Sequence, residues 1–563
     1  MPSETDKTLS RLRSRWAALK SERSSWDTHW KDVSDVLMPR AGRYMTGDRN
    51  KGKKRYNNIY DSTGTRGLRI LSAGMMAGMT SPARPWFRLA TGDTELTRSH
   101  AVRVWMADVT RLMLDVFQRS NLYRSLHGMY EELGAFGTAA CIVTPDYNDV
   151  IRCYPLTIGE YAISTDFRGQ VNTLYREFDL TVGQIVAEFG LDACSDSVRD
   201  AHERGRLDEW VTVIHAIEPR ENRDISKSDN LNMPFSSCYF ESSAGARAPL
   251  RESGFRRFPA ICPRWATTGG DIYGTGPGME ALGDIKQLQH EQLRKAQGID
   301  YMTNPPLQVP IGLKNREIET LPGGVTYVDT SNPHGGIRSA FEVRLDLSHL
   351  LADIQDVRER INSVFFADMF MMMANDTRSN ITATEVAERH EEKLLMLGPV
   401  LERLNNEMLD PLVEMTFDYM MEAGIVPPPP AELQGQDIRV EFVSMLAQAQ
   451  RAIGINSIDR FVNSLAGMAQ IKPDVLDKLN SDKWADIYAD SLGVDPEVLL
   501  SDDEVSMIRE NRAKQAQQAR QAELMNQAAD TAQKMAAAKT GEQNALTDVA
   551  GMFSGYSSPG IIQ

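Results

Sequence analysis

The spacing of apolar residues along this chain changes from helical to strand-like near residue 137 and returns to helical near residue 278, and this limits the fold more than any other feature. In the first stretch Leu12, Trp16, Leu19, Trp26, Trp30, Val33 and Leu37 follow alternating steps of three and four, with Arg23 interrupting one step. That spacing predicts a long amphipathic helix over 6–37 with one apolar stripe, stopped by Pro39. Asp61-Ser62-Thr63 offers a cap for a second helix running to about Gly78. A turn through Ser81–Pro85 leads into an extended segment at Trp86–Leu89, and helices are predicted over 99–119 and 122–136. Between 137 and 265 the period falls to two. Short β-type runs are expected at 140–144, 151–154, 161–164, 174–179, 211–218, 238–241 and 258–264, bounded by Gly, Pro, Asn and Asp. One short helix, about 181–190, interrupts them. The fold class expected is α+β.

The second half has a different order. A helix over 278–300 ends near Asn304-Pro305-Pro306. A small β-type insertion follows at 302–345, with turns at Pro322-Gly323-Gly324 and His334-Gly335-Gly336, and helix resumes over 346–366. Then come a loop at 367–380 and a very long helix from about 383 to 423, kinked or broken at Pro399 and Pro411. Pro427–Pro430 stops it. A strand at 438–443 and a cluster of short helices at 445–500 follow. Residues 503–538 are rich in Ala, Gln, Arg and Lys, so this helix buries little by itself and suits being held by neighbouring copies. The tail from Gly541 is expected to be mobile.

Several function classes are excluded. The formal net charge is −15, whereas a protein that grips DNA presents a basic face, because phosphate neutralisation supplies the affinity. Either this chain does not touch nucleic acid, or it touches DNA without holding it. Its five cysteines are Cys141, Cys153, Cys194, Cys238 and Cys262. They form no C-x-x-C pair and are odd in number, which fits buried free thiols in a reducing compartment rather than a zinc site or a disulfide framework. The N-terminus lacks the apolar region of a secretory signal. The nearest approach to a membrane span, Ile70–Pro82, is too short, and its Gly74-x-x-x-Gly78 reads as close packing between soluble helices. No G-x-x-x-x-G-K-[ST] or G-x-S-x-G is present. His-Glu occurs at 202, 290 and 390, but the second histidine of a zincin is replaced by Arg206, Arg294 and Leu394. No catalytic residue, metal or cofactor is expected.

Three features carry alternative readings. Gly274-x-Gly276-x-Gly278 precedes a helix, but Met279 sits where a dinucleotide fingerprint has its third glycine, and Pro277 suits a helix start. The basic cluster Arg40, Arg43, Arg49, Lys51, Lys53, Lys54 and Arg55 reads as a solvated loop, a nucleic-acid contact or an inter-subunit contact. The run Phe365 to Met373 (FFADMFMMM) is either core on a helix or a flexible, apolar surface able to lie against a moving rod.

Tyr60-Asp-Ser-Thr-Gly64, Ala83-Arg-Pro-Trp-Phe-Arg-Leu89, Tyr273-Gly-Thr-Gly-Pro-Gly278 and Ile381-Thr-Ala-Thr-Glu-Val386, in this order, resemble the head-to-tail connecting (portal) proteins of short-tailed phages over roughly residues 6–500. The resemblance implies a portal architecture with helical stem, β-containing wing and clip, and helical crown, assembled as a ring. It divides the chain into wing (1–277), stem helix (278–301), clip (302–345), stem helix (346–366), tunnel loop (367–380), long kinked helix and wing return (381–443), crown (444–502), a C-terminal helix able to build a barrel (503–540) and a flexible tail (541–563). Implied for the tunnel loop are Met369, Met371, Met372, Met373, Asn375 and Arg378. Channel-lining candidates on the stem are Lys286, Arg294, Lys295, Arg358 and Arg360. Clip contacts to terminase or adaptor are Lys314, Arg316, Glu317 and Glu319. Partners implied are further copies of the chain, commonly as a dodecamer, double-stranded DNA, the terminase large subunit, tail adaptor or head-completion proteins, and major capsid and scaffolding proteins, with no membrane. The place implied is the capsid portal vertex of the virion, after assembly in the host cytoplasm. No enzymatic activity is implied, and the missing nucleotide-binding motif agrees. An anionic ring would repel DNA and so avoid sticking to it. The competing readings are another capsid-associated assembly or tail protein, and an enzyme with an unrecognised site.

Overall fold

The computed structural model describes residues 4–43, 59–92, 99–227, 229–243, 248–304, 348–374, 397–433, 438–442, 479–492 and 502–537, with shorter stretches between them. The chain divides into two units, 1–480 and 481–563.

In the first unit, helix α1 (Glu4–Leu37) runs along two cores. Its first half buries Leu9, Leu12, Trp16 and Leu19 against Tyr175, Ile214, Ala216 and Phe240 of a five-stranded antiparallel sheet. Trp16 stacks on Tyr175 with ring centroids 6.2 Å apart. Its second half buries Trp30, Val33 and Leu37 in the main core, each contributing roughly 1.5–3 kcal/mol relative to exposure. The sheet has the order β4-β5-β6-β7-β8, from Tyr161–Thr165, Val171–Thr181, Trp210–Pro219, Phe235–Glu241 and Arg251–Phe255. A second apolar cluster joins Val213 and Leu250 of this region to two short helices, α5 (Val182–Phe189) and α6 (Asp196–Glu203). Thr181 and Gln184 close a capping box on α5. Strand β8 and helix α6 were not anticipated. β8 buries no side chain, and α6 is an eight-residue, mostly charged helix that buries only Val198 and Ala201.

The main core is built from α2 (Thr63–Met79), α3 (His100–Arg119) and α4 (Leu122–Phe136), with β1 (Phe87–Thr91) and a three-stranded sheet ordered β3-β2-β9. These last strands are Ala140–Asp146 (β2), Val150–Leu156 (β3) and Ala260–Ile261 (β9). The run expected over 258–264 shrinks to β9: Pro259 and Pro263, which have no N–H to give the ladder, only accept from Val143 and Ala139, and Arg264 makes an isolated bridge to Thr138. Glu132 of α4 is buried, accepting hydrogen bonds from the Thr157 hydroxyl at 2.7 Å and the Ile158 N–H at 3.2 Å. All five cysteines are free and buried.

The second half supplies α7 (Pro277–Glu280), α8 (Leu282–Thr303), the paired dipeptides β10 (Leu307–Gln308) and β11 (Arg338–Ser339), α9 (Ser348–Val364) and α10 (Ala367–Ala374). Helix returns at 397 and, after a π segment at Asn405–Leu409, continues as α11 (Asp410–Glu422). Pro411 therefore neither breaks nor ends the helix. A proline lacks the N–H that would bond four residues back, and the wider π turn just before it accommodates the ring. The π segment also carries Glu407 onto the buried Arg264, with oxygens 2.6, 2.9 and 3.2 Å from its Nη2, backbone N and Nε. After Gly424 (φ +68) the chain returns through β12 (Ile438–Phe442), which pairs antiparallel with β1, Phe87 opposite Phe442. The rest of the insertion, the start of the long helix, most of 444–480, residues 44–58 and the tail from 538 lie outside the described residues.

The second unit contains α12 (Ser481–Leu492) and the 36-residue α13 (Asp502–Ala537). Arg509 ties them with two 2.7 Å bonds to Asp482. The described side chains of α13 lie almost wholly in solvent, including Met507, Leu524 and Met525. No described helix is long and apolar enough to cross a membrane.

Candidate channel-forming site

Helix α8 starts where the glycines of Gly274-x-Gly276-x-Gly278 meet the C-terminus of α4. Gly137 ends α4 in the left-handed region (φ +72), and a Cβ there would stand 2.5 Å from the Gly274 carbonyl oxygen. A Cβ on Gly278 would stand 2.6 Å from the Ala135 carbonyl oxygen. These glycines admit backbone against backbone, so the motif is a helix seat.

Only the first part of α8 is buried, at Leu282, Ile285, Leu288 and Gln289, and only the last part of α9, at Ile354, Val357 and Ile361. Cross-contacts run in opposite directions, Asp284 with Arg360 at 3.2 Å and Glu291 against Asp353. The two helices are thus an antiparallel finger, rooted in the core and bare toward its tip. Ile299, Tyr301, Met302, Leu307 and Leu351 are exposed there. Burial and the facing Asp353 push the Glu291 carboxyl up.

At the root both helices converge on Asp61, which is buried. Its Oδ2 accepts from Arg358 Nη2 at 2.7 Å, Arg358 Nε at 3.1 Å and Gln292 Nε2 at 2.9 Å. Its Oδ1 accepts from the Thr63 N–H at 2.9 Å, which starts α2. Gln289 Oε1 accepts from the Tyr60 and Asp61 N–H groups at 2.6 and 2.9 Å, and its amide donates to the Asp61 carbonyl at 2.8 Å. Burial works against the Asp61 charge, but the bonds from Thr63 and Arg358 outweigh it and hold the carboxyl below its ordinary value. One carboxylate therefore ties α8 and α9 to the start of α2.

From α9 the chain turns sharply. Phe366 has φ +53, and α10 begins one residue later. This corrects the loop expected over 367–380, whose first eight residues are helical. Side chains of the run follow a helical burial pattern, because Phe365, Ala367, Met369 and Phe370 pack into the core while Asp368 and Met371 face outward. Met369 is thus a core residue, and Met371 is 37% exposed. The side chains of Met372 and Met373, together with Asn375 and Arg378, lie outside the described residues.

The expected channel cations are distributed unevenly. Lys286 pairs with Asp32 at 2.7 Å, Arg358 with Asp61, and Arg360 with Asp284 and, at 3.4 Å, Asp356. All three are half-exposed and engaged within the chain. Arg294 is exposed, 3.2 Å from Gln297 Oε1 and 3.4 Å from His290 Nε2, and Lys295 is half-buried. Lys314 sits in an exposed turn, while Arg316, Glu317 and Glu319 lie outside the described residues. Sequence reasoning missed Asp61 as a joint and Gln289 and Gln292 as its partners. A signal existed, since both glutamines continue the three-and-four spacing of Leu282, Ile285 and Leu288, where apolar residues belong.

The description "Bacteriophage head to tail connecting protein" fits residues 9–500 as a family model. A probable portal protein of Bordetella phage BPP-1 is 63% identical over 99% of this chain and 100% of its own. The portal protein of Salmonella phage epsilon15 is 46% identical over 97% of this chain and 98% of its own. The chain belongs to the bacteriophage head-to-tail connecting, or portal, proteins.

Proposed function

We propose that this chain is one wedge of a ring at a single capsid vertex, through which double-stranded DNA is packaged, retained and ejected. The observation that carries the reading is the α8–α9 finger, fixed at its root by Asp61 and bare toward its tip. In a closed ring such fingers stand side by side as the stem, 278–301 and 346–366. The insertion 302–345 forms the clip at their tips, docking first the terminase large subunit and later the tail adaptor or head-completion proteins. Residues 1–277, with the return through β12, form the wing. Residues 444–502 form the crown, and major capsid and scaffolding proteins surround the ring, commonly a dodecamer.

The segment 367–380 serves as the tunnel element, with the outward face of α10 and the residues after it toward DNA. Met side chains adapt to a moving surface without fixed hydrogen bonds. The cations Lys286, Arg358 and Arg360 are half-neutralised by their own carboxylates, so a stem lined by them holds DNA weakly, as sliding requires. Arg294 and Lys295 remain for phosphate contacts. The work of packaging falls to a separate motor, and assembly takes place in the host cytoplasm.

The test images the purified full-length chain by electron microscopy and follows it into particles. Rings with an axial channel are expected, and deleting Met371–Met373 is expected to leave rings intact while lowering the DNA retained per particle. A chain that stays monomeric and is missing from particles overturns the reading.

A further inference from the structure

We propose that Gly67 and Gly74 of α2 are the seat that fixes where α10 lies, and that Phe366 is the elbow about which it turns. The functional consequence rests on the reading of α10 as the tunnel element, while the seat itself rests on contacts within the chain.

Glycine is the poorest helix former after proline, so two of them at positions 67 and 74 of a helix need an outside reason. Seven residues apart, they share one face. A Cβ on Gly67 would come within 2.9 Å of the Phe365 ring, and one on Gly74 would overlap the Phe370 ring. The two rings, both buried, therefore rest directly on the α2 backbone and bracket the elbow. Gly74, read from sequence as a close-packing position, packs against α10.

The elbow is strained. Phenylalanine rarely occupies the left-handed region, where its Cβ crowds the following carbonyl. Phe366 does so while its N–H bonds the Ser363 carbonyl at 3.0 Å and its own carbonyl accepts from Phe370 at 3.1 Å. Its ring lies 6.4 Å from that of Trp265. Were Phe366 to return to the right-handed region, 348–374 would become one continuous helix and Phe370 would leave Gly74. The bent state is held by the seat and opposed by the elbow, the arrangement of an element with two positions.

The experiment measures amide exchange across 367–374 in full-length assembled protein, with the amides of α4 as reference, and nuclease protection of DNA in particles built from the same variants. Gly74→Ala is expected to speed exchange of α10 by about tenfold or more by overpacking against Phe370. Adding Phe370→Leu to it is expected to bring exchange back to within about threefold of native, since the two positions share one contact. Phe366→Gly is expected to hold α10 more firmly than Phe366→Ala, as both remove the ring and only glycine tolerates φ +53. Unchanged α10 exchange in Gly74→Ala overturns the seat, as does loosening of α4 and α10 alike without rescue. If Gly74→Ala does not fold, the order of the two Phe366 variants decides, and equal exchange in both overturns the elbow. A loosened α10 with DNA fully protected supports the seat and removes the tunnel reading instead.

Discussion

Replacing Asp61 by asparagine tests whether one carboxylate joins the α8–α9 finger to the rest of the molecule. The side chain keeps its shape but loses its charge, and one acceptor oxygen becomes a donor. If the remaining oxygen keeps the Thr63 N–H, the new amide faces three donors, the two Arg358 nitrogens at 2.7 and 3.1 Å and Gln292 at 2.9 Å. A hydrogen bond to a charged group is worth roughly 1.5–3 kcal/mol. Arg358 is 40% exposed, so water takes over much of its share and its pair counts for about 1 kcal/mol at most. With the Gln292 bond lost as well, the change comes to about 2 kcal/mol, or about 30-fold in local opening. Hydrogen exchange at the Tyr60 and Asp61 amides, both held by Gln289, reads this directly, with α3 as the unaffected reference. Arg358→Gln leaves Asp61 its other donors and is expected to speed the same amides by less than about fivefold. The Asp61 carboxyl is held below its ordinary value. Its contribution is therefore complete above the usual carboxylate range and disappears as pH falls through the lowered value. After correction for intrinsic exchange, native protein should loosen at the joint in acid and Asp61→Asn should not. An effect of Arg358→Gln as large as that of Asp61→Asn, or an identical acid response in both, refutes the argument.

Two further outcomes follow from buried charge. Burial raises the Glu132 carboxyl from 4.5 to about 7 against the bonds from Thr157 and Ile158, with Glu160 adding and Arg43 opposing. Because the folded value lies above the unfolded one, the proton's contribution is complete below the unfolded value and is lost as pH rises through about 7. Thermal midpoints should fall between slightly acidic and alkaline buffer, and Glu132→Gln should flatten that slope; an unchanged slope would show that the loss arises elsewhere. At the π segment, Glu407→Gln leaves the Arg264 guanidinium buried without its anion, at a cost of about 3–5 kcal/mol. The double variant Arg264→Met/Glu407→Leu should unfold closer to native protein, and a double variant worse than the single one contradicts the ion-pair account.

What the sequence made legible was what a local period records. The stripe from Leu12 to Leu37 predicted α1 because every third or fourth side chain enters a core. The bounds of α4 agree for the same reason, sharpened by Gly137 closing the helix in the left-handed region. Strand β8 escaped because Arg251–Phe255 has no apolar alternation, being held by Phe235–Tyr239 across the ladder. The joint escaped for a related reason. Asp61, Gln289, Gln292 and Arg358 are brought together across more than two hundred residues, and a carboxylate before a helix reads locally as no more than a cap. The Met-rich run was ambiguous because Asp368 is its one polar residue, too little for a period to say which face was covered. The notches at Gly67 and Gly74 answer that question. A glycine facing a phenylalanine is a statement about two helices at once, and neither helix alone contains it.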